Sequence, residues 1–349
     1  MSVISSKNSG LVVTADLNFT QWLSDRRLSL AFTTYQAGKI FFVGLQPNGK
    51  LSIFERTFDR AMGLWYDNSS LYLSSLYQIW GFTNALAPGE NYNDYDSVLI
   101  PQISYVTGDL DIHDLVIDAS GKLIFANTLF NCISTVSHTH SFTPLWQPQF
   151  ISQLVAEDRC HLNGIALKNG QVRFVTTIGQ TDQANGWRDR RQDGGCVIDL
   201  VEEQIIAQGL SMPHSPRWYS DRLWVLNSGT GEFGYIELET GSFKAIVFCP
   251  GYLRGCAFVD NYAVVGISQL RNKTFSGLLL DKKLRQLDTE SFCGLLIIDL
   301  LQGEIVHWLK LEGVVKELYD VVILPQIRRP MALGFKSDEI KRLITINRL

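Results

Sequence analysis

Charge is scarce in this sequence, and basic charge has no excess. Asp, Glu, Lys and Arg together make up 19% of its 349 residues, and the formal net charge is −4. A nucleic-acid partner is therefore not expected, because binding a phosphate backbone needs a basic field. No apolar run reaches the length of a membrane span; the longest, at 295–301, is interrupted by Asp299, so no membrane partner is expected. The opening Met1-Ser2-Val3-Ile4-Ser5-Ser6-Lys7 lacks a basic segment ahead of an apolar core, and no export signal is read there. Six cysteines occur and none forms a C-x-x-C pair, which argues for free buried thiols and a cytoplasmic location. G-x-x-x-x-G-K-[ST], G-x-S-x-G and H-E-x-x-H are missing, as is a G-x-G-x-x-G between strand and helix. No nucleotide cofactor and no hydrolase elbow are expected. Helical periodicity is missing too, apart from one short candidate helix at 18–26. Disorder is excluded as the main state by a hydrophobic content of 46%.

What is present is a repeat. The stretches 29–55 and 222–248 both read strand, turn, strand, turn, strand. Their second turns are Pro47-Asn48-Gly49 and Glu239-Thr240-Gly241, each ending in a glycine suited to positive φ. Short apolar strands at 61–66, 113–117, 161–167, 214–219, 254–259 and 317–324 read as inner strands. Most are followed by a tight turn, such as Asp67-Asn68 or Lys168-Asn169-Gly170, and by a second strand at 71–75, 122–128, 172–177, 223–228 or 263–268. A period of about 40–60 residues with regular turns predicts an all-β, six-bladed β-propeller. The first unit, 28–58, has no innermost strand, and the strand 317–324 has no blade after it. The simplest solution makes 317–324 the innermost strand of the first blade, which closes the ring and removes exposed sheet edges. A single domain over 1–349 follows, with residues 1–27 packing on it as an extension.

In an antiparallel meander, alternate connections lie on opposite ends of the sheet. Turns after the first strands are tight. Long connections are read at 79–94, 141–159, 178–195 and 269–292, all after second or fourth strands, so one face is elaborated and is the place for a site. The inner strands begin on that face, at or near Arg60, His113, His161, His214, Arg254 and Glu317. Three histidines in consecutive blades form a candidate facial site for a divalent transition metal, Zn, Fe or Mn. They are equally candidates for proton transfer near neutral pH. Arg254 and Arg60 would face a negative ligand, and Glu317 and Asp320 would act as base, metal ligand or partner to those arginines. Trp187 and Arg188, in a polar loop, offer a stacking surface and an anion clamp, and the loop could cover the channel mouth. The plain alternative is that polar side chains at the axis tie neighbouring blades together by hydrogen bonds and water. Small polar residues ending the second strands, such as Asn127-Thr128 and Asn227-Ser228, would then satisfy strand ends, or would hold the imidazoles in one tautomer.

Several segments carry a resemblance. Phe58-Asp-Arg-Ala-Met-Gly63, Cys160-His-Leu-Asn-Gly164, Gly179-Gln-Thr-Asp182, Gly186-Trp-Arg188, Met212-Pro-His-Ser-Pro-Arg217, Leu226-Asn-Ser-Gly229, Arg254-Gly255 and Glu317-Leu-Tyr-Asp320 resemble a bacterial family of conserved hypothetical proteins, sometimes found with tetratricopeptide repeats. The likeness spans roughly Phe19 to Pro330 and implies domain identity without a reaction. The architecture is more remotely similar to gluconolactonase and strictosidine-synthase-like propellers, which hold a divalent metal or a catalytic acid at the axis. Here three histidines stand where the lactonases use Glu, Asn and Asp, which argues against a calcium-type site, since hard cations prefer oxygen.

The leading expectation is an enzyme with a polar axial pocket. His113, His161, His214 and Glu317 are its candidate catalytic residues, and the three histidines its candidate metal ligands. Arg60, Asn163, Trp187, Arg188, Arg217, Arg254 and Asp320 are its candidate contacts to a small anionic or polyhydroxylated molecule or a peptide side chain. Lyase, isomerase, hydrolase and oxygenase chemistry all fit such parts. The rival is a non-catalytic platform for a peptide, protein or glycan, with Trp80, Trp146 and Trp187 as contact points.

Overall fold

A computed structural model describes residues 2–6, 10–67, 69–270, 277–336 and 338–346. Asn68 of one expected turn, and 271–276 of the connection read at 269–292, lie outside the described residues, as does part of the 1–27 extension.

Six antiparallel sheets follow one another around an axis. Runs of β-branched and aromatic residues such as Lys39–Leu45 and Cys293–Asp299 form strands buried almost throughout, as expected where each sheet packs between two others. Inner strands are Leu64–Tyr66, Ile112–Ile117, Leu162–Lys168, Pro213–Tyr219, Tyr252–Val259 and Val321–Pro325. The last of these pairs antiparallel with Leu28–Thr34 in the first blade, so the expected ring closure is present. A second tie joins the same region: Pro330–Ala332 runs parallel to Ser97–Val106 at the outer edge of the second blade. At the other end of the chain, Leu11–Ala15 adds to the outer strand of the sixth blade and carries Ser2–Ser6 beyond it. The helix expected at 18–26 is Phe19–Asp25, which buries Phe19, Trp22 and Leu23.

Two of the long connections are corrected by the sheets. The stretch 79–94 is not one loop: Gln78–Asn84 is a strand, and the loop after it joins the third and fourth strands of the second blade, on the plain face. The stretch 141–159 contains the strand Thr143–Trp146, so only its later part reaches the elaborated face. In the first, Gln78–Asn84 is an inner-lying third strand merged with the loop that follows it; in the second, Thr143–Trp146 is a short, mostly exposed outer strand with a proline and little apolar alternation. A helix, Leu279–Gln286, was also not expected within 269–292; its Leu280 and Leu284 are buried.

The blades are locked by hydroxyls at or just past the ends of second strands. Ser74 Oγ donates to Ile112 O at 3.0 Å, Thr128 Oγ1 to Leu162 O at 2.6 Å and Ser228 Oγ to Leu253 O at 2.8 Å. Each bond crosses to the next blade. Ser268 Oγ both donates to Leu318 O at 3.2 Å and accepts from Leu318 N at 3.0 Å. The fourth blade has Ile178 at this place. Ser268→Ala would leave two buried backbone groups unsatisfied, and a loss of about 1–3 kcal/mol is expected in urea unfolding. Ser220→Ala, in a surface turn, serves as the control. Equal stability of the two variants would show that these hydroxyls do not hold the blades.

Candidate functional site

Four inner strands share a bulge that aims side chains at the axis. Ile112, Leu162, Pro213 and Tyr252 each face the last residue of their second strand, Asn127, Thr177, Asn227 and Ser268, and the register slips within the next few residues. Bulges bend a strand and redirect what it carries. This register corrects one reading. His113 and His214 are equivalent to Asn163, one residue into the strand. His161 lies two positions earlier, level with Asp111 and Met212. Those three residues share the left-handed conformation, with φ of 52°, 53° and 51°. The shared strain belongs to the entry into the strand rather than to one catalytic residue.

The elaborated face opens into an axial cavity of about 220 Å³. Of the residues singled out from the sequence, His113, His161, Trp187, Arg188, Arg254 and Glu317 line it. His113 and His161 meet edge to face with ring centroids 4.5 Å apart, and His161 stacks on Trp187 at 4.2 Å. Arg188 lies over the other ring system of this stack, 4.5 Å from the Trp187 centroid. Sequence reasoning missed Tyr35, Asp111, Asp158, Arg191 and Met212, which complete the lining. For two of them a signal existed, because Asp111 and Asp158 stand two and three residues before a histidine.

Asp158 is the organising group. His161 Nδ1 lies 3.0 Å from each of its carboxylate oxygens, and Trp187 Nε1 donates to Oδ2 at 2.8 Å. A carboxylate that holds Nδ1–H leaves Nε2 as the basic nitrogen. His113 Nδ1 donates to Asp111 O at 2.8 Å. Burial pushes His113 down to about 4, with Asp111 opposing the shift and His161 and Arg254 adding to it. Burial works to raise Asp111, but His113, His161, Arg60 and Arg254 hold it below the usual carboxylate range.

Arg254 is the unusual cation. Its guanidinium lies 4.5 Å from the Tyr319 ring centroid and 5.6 Å from that of Tyr252. Among the described residues no carboxylate lies within salt-bridge distance of it. Cys160, by contrast, is sealed: burial pushes its thiol far up, followed by repulsion from Asp158, so it is no nucleophile.

The other candidates are placed elsewhere. His214 is buried against Tyr252, with ring centroids 5.5 Å apart, and does not line the cavity. Burial, reinforced by Arg254, pushes it well below its ordinary value. Among the described residues no three His, Cys, Asp or Glu side chains are placed to hold a metal ion. Arg60 is paired with Asp109 and lies 3.7 Å from Asp111. Asn163 is buried, and its Nδ2 has no partner among the described residues. Arg217 and Asp320 belong to a buried ion cluster: Arg217 Nη1 donates to Asp114 Oδ2 at 2.8 Å, and Arg217 Nη2 lies 3.5 Å from Asp320 Oδ1. Asp114 also accepts from Ile165 N, and Asp320 from Leu64 N. This cluster ties the third, fifth and first blades across the axis, which is the structural role weighed for axial polar groups.

Residues 17–333 match the sequence profile of a domain of unknown function, DUF4915. The chain belongs to the DUF4915 family. No curated protein matches its sequence. Among solved structures, this DUF4915 chain superposes on a chain from a nidogen–laminin complex with a TM-score of 0.54 at 14% identity, covering 86% of this chain and 99% of that one. It also superposes on a protein of unknown function from Bacteroides caccae with a TM-score of 0.50 at 10% identity, covering 85% and 98%. At such identities the likeness is one of fold, the six-bladed propeller. Among the described residues, no helix of the DUF4915 chain is long and apolar enough to cross a membrane.

Proposed function

We propose that the axial cavity binds a small anionic molecule and that His161 moves a proton on it. Arg254 carries this reading. A guanidinium set between two tyrosine rings, with no carboxylate within salt-bridge distance among the described residues, lacks a direct counter-ion, and a bound anion would supply one. Arg188, at the rim, adds a second cation. Asp158 accepts from His161 Nδ1 and so leaves Nε2 as the nitrogen that can take a proton, and Trp187 fixes both, so the set has the form of an oriented acid–base pair. Such parts suit a lyase or isomerase that begins by proton abstraction next to a carboxylate.

The platform reading draws less support at Trp187, which is 6% exposed and bonded to Asp158. Its side chain serves the cavity and has little surface for a partner. The six buried, unpaired cysteines fit a reducing compartment such as the cytoplasm.

A panel of carboxylates and phosphate monoesters in thermal-shift measurements tests the anion site. At ligand concentrations of about 100 times Kd, binding stabilises by about 2.7 kcal/mol, and Arg254→Gln is expected to remove the shift. Trp80→Ala, at a separate groove lined by Phe58 and Phe335, is expected to keep it. A panel without any stabilising anion, or an undiminished shift in Arg254→Gln, would overturn the proposal.

A further inference from the structure

We propose that the cavity is built for a hydroxylated carboxylate: a small acid that brings O–H donors to His113 and His161 as well as an anionic end to Arg254. The proposal rests on the anion-site reading above and adds the chemistry of the rest of the ligand.

The argument starts from tautomers. His113 Nδ1 lies 2.8 Å from a carbonyl oxygen, Asp111 O. A carbonyl only accepts, so Nδ1 carries the proton. His161 Nδ1 lies 3.0 Å from both oxygens of the Asp158 carboxylate, with the same consequence. With the proton on Nδ1, the neutral form of each ring presents Nε2 as a lone-pair acceptor. Both rings line the cavity. They touch at a centroid distance of 4.5 Å, and neither Nε2 has a hydrogen-bond partner among the described residues. His113, pushed down to about 4 by burial, keeps this acceptor at neutral pH. The device recurs at His214, whose Nδ1 lies 2.7 Å from Met212 O, but its Nε2 is sealed from the cavity.

Two adjacent acceptors beside a guanidinium call for a ligand that donates hydrogen bonds close to its anionic end. An ammonium group would donate as well, but the charges stand against it. Asp158 is taken by His161 and Trp187, Asp111 lies 3.7 Å from both Arg60 and His113, and Glu317 is also engaged. The carboxylates are occupied, while among the described residues none is salt-bridged to Arg254, so an entering cation finds its counter-charges taken and a like charge waiting. Hydroxyl groups supply the donors without added charge. Unmet acceptors in a closed site also reject ligands that lack the donor, because the imidazoles then lose water without replacement.

Four C4 acids with one carbon skeleton separate the possibilities: succinate, malate, tartrate and aspartate, titrated by calorimetry at pH 7. Affinity is expected to rise about tenfold from succinate to tartrate, since each hydroxyl adds one neutral hydrogen bond. Malate should fall between them, and aspartate should bind no more tightly than succinate. His161→Phe, which keeps a ring on Trp187 and removes one of the two acceptors, should bring tartrate down to about the malate level. Long-range 1H–15N spectra of the unaltered protein give a readout independent of any variant. The Nδ1–H tautomer should be present at both rings, and their Nε2 resonances should move with tartrate and not with succinate. Equal binding of succinate and tartrate, tightest binding of aspartate, or Nε2–H tautomers would each overturn the hydroxyl assignment. Failure of all four acids to bind would overturn the anion site itself, and this proposal with it.

Discussion

Arg217→Met is expected to destabilise the propeller by about 3–5 kcal/mol, because it leaves buried carboxylates without their cation. In a chain of this size the melting temperature should fall by roughly 4–7 °C. Asp114 and Asp320 are 3% exposed, and both face the one guanidinium. Arg217 Nη1 also donates to Ile165 O and Pro216 O, so the fifth blade loses contacts to the third, fourth and first together. Adding Asp114→Asn to Arg217→Met should recover much of the loss, since a neutral amide is cheaper to bury than a lone carboxylate. An unchanged melting temperature in Arg217→Met would refute the tie.

The same cluster has a pH signature. Burial pushes Asp320 up to about 7, with Arg217 opposing the shift and Asp114 adding to it. The pairing is uneven: Asp114 takes two guanidinium nitrogens at 2.8 and 3.3 Å, and Asp320 sits farther away. One cation cannot neutralise two carboxylates, so the less well-paired one keeps its proton. The folded state then binds more protons than the unfolded state between about pH 4 and pH 7. Stability from Asp320 is full below that window and is lost as pH rises through about 7. His113 and His214, buried neutral, slope the other way. The quantity to measure is therefore the difference in melting temperature between the native chain and Asp320→Asn. It should be largest near pH 5 and shrink toward pH 8. A difference that stays constant over the same range would show Asp320 to be ionised throughout.

Ending the chain after Lys316 is expected to abolish cooperative folding. The first blade would lose its inner strand and all five residue pairings from Val321–Phe32 to Pro325–Leu28. The exposed edge would be Leu28–Thr34, a strand buried at every position, and an apolar edge of that kind invites pairing between chains. Tyr319, Asp320 and the Ser268 latch on Leu318 would go as well. Because the closure is wholly non-covalent, a peptide spanning 317–333 added during refolding should restore a cooperative melt. A truncated chain that melts like the full one would show that closure contributes little.

How far the sequence could be read follows from what sets each feature. Strands, tight turns, six blades and the closing strand were legible because they repeat at short range: alternation along a strand and glycine or asparagine at a turn are local consequences of backbone geometry. The presence of histidines near the axis was legible for the same reason. Their alignment was not. Taking each histidine as the start of its inner strand set His161 level with His113, whereas the pairing with the second strand puts it two positions earlier, at the place of Asp111.

The sequence by itself determined that this chain winds into a closed ring of sheets with polar groups toward its centre, because periodicity is written residue by residue. Only the tertiary structure decided which polar groups meet. It joined Asp114 to Arg217 and Asp320 across three blades, bound Asp158 to His161 and Trp187, and set Arg254 among the rings of Tyr252 and Tyr319. Those meetings depend on ring curvature and on one-residue slips in register, and such distances between side chains far apart in the chain leave no periodic trace in it.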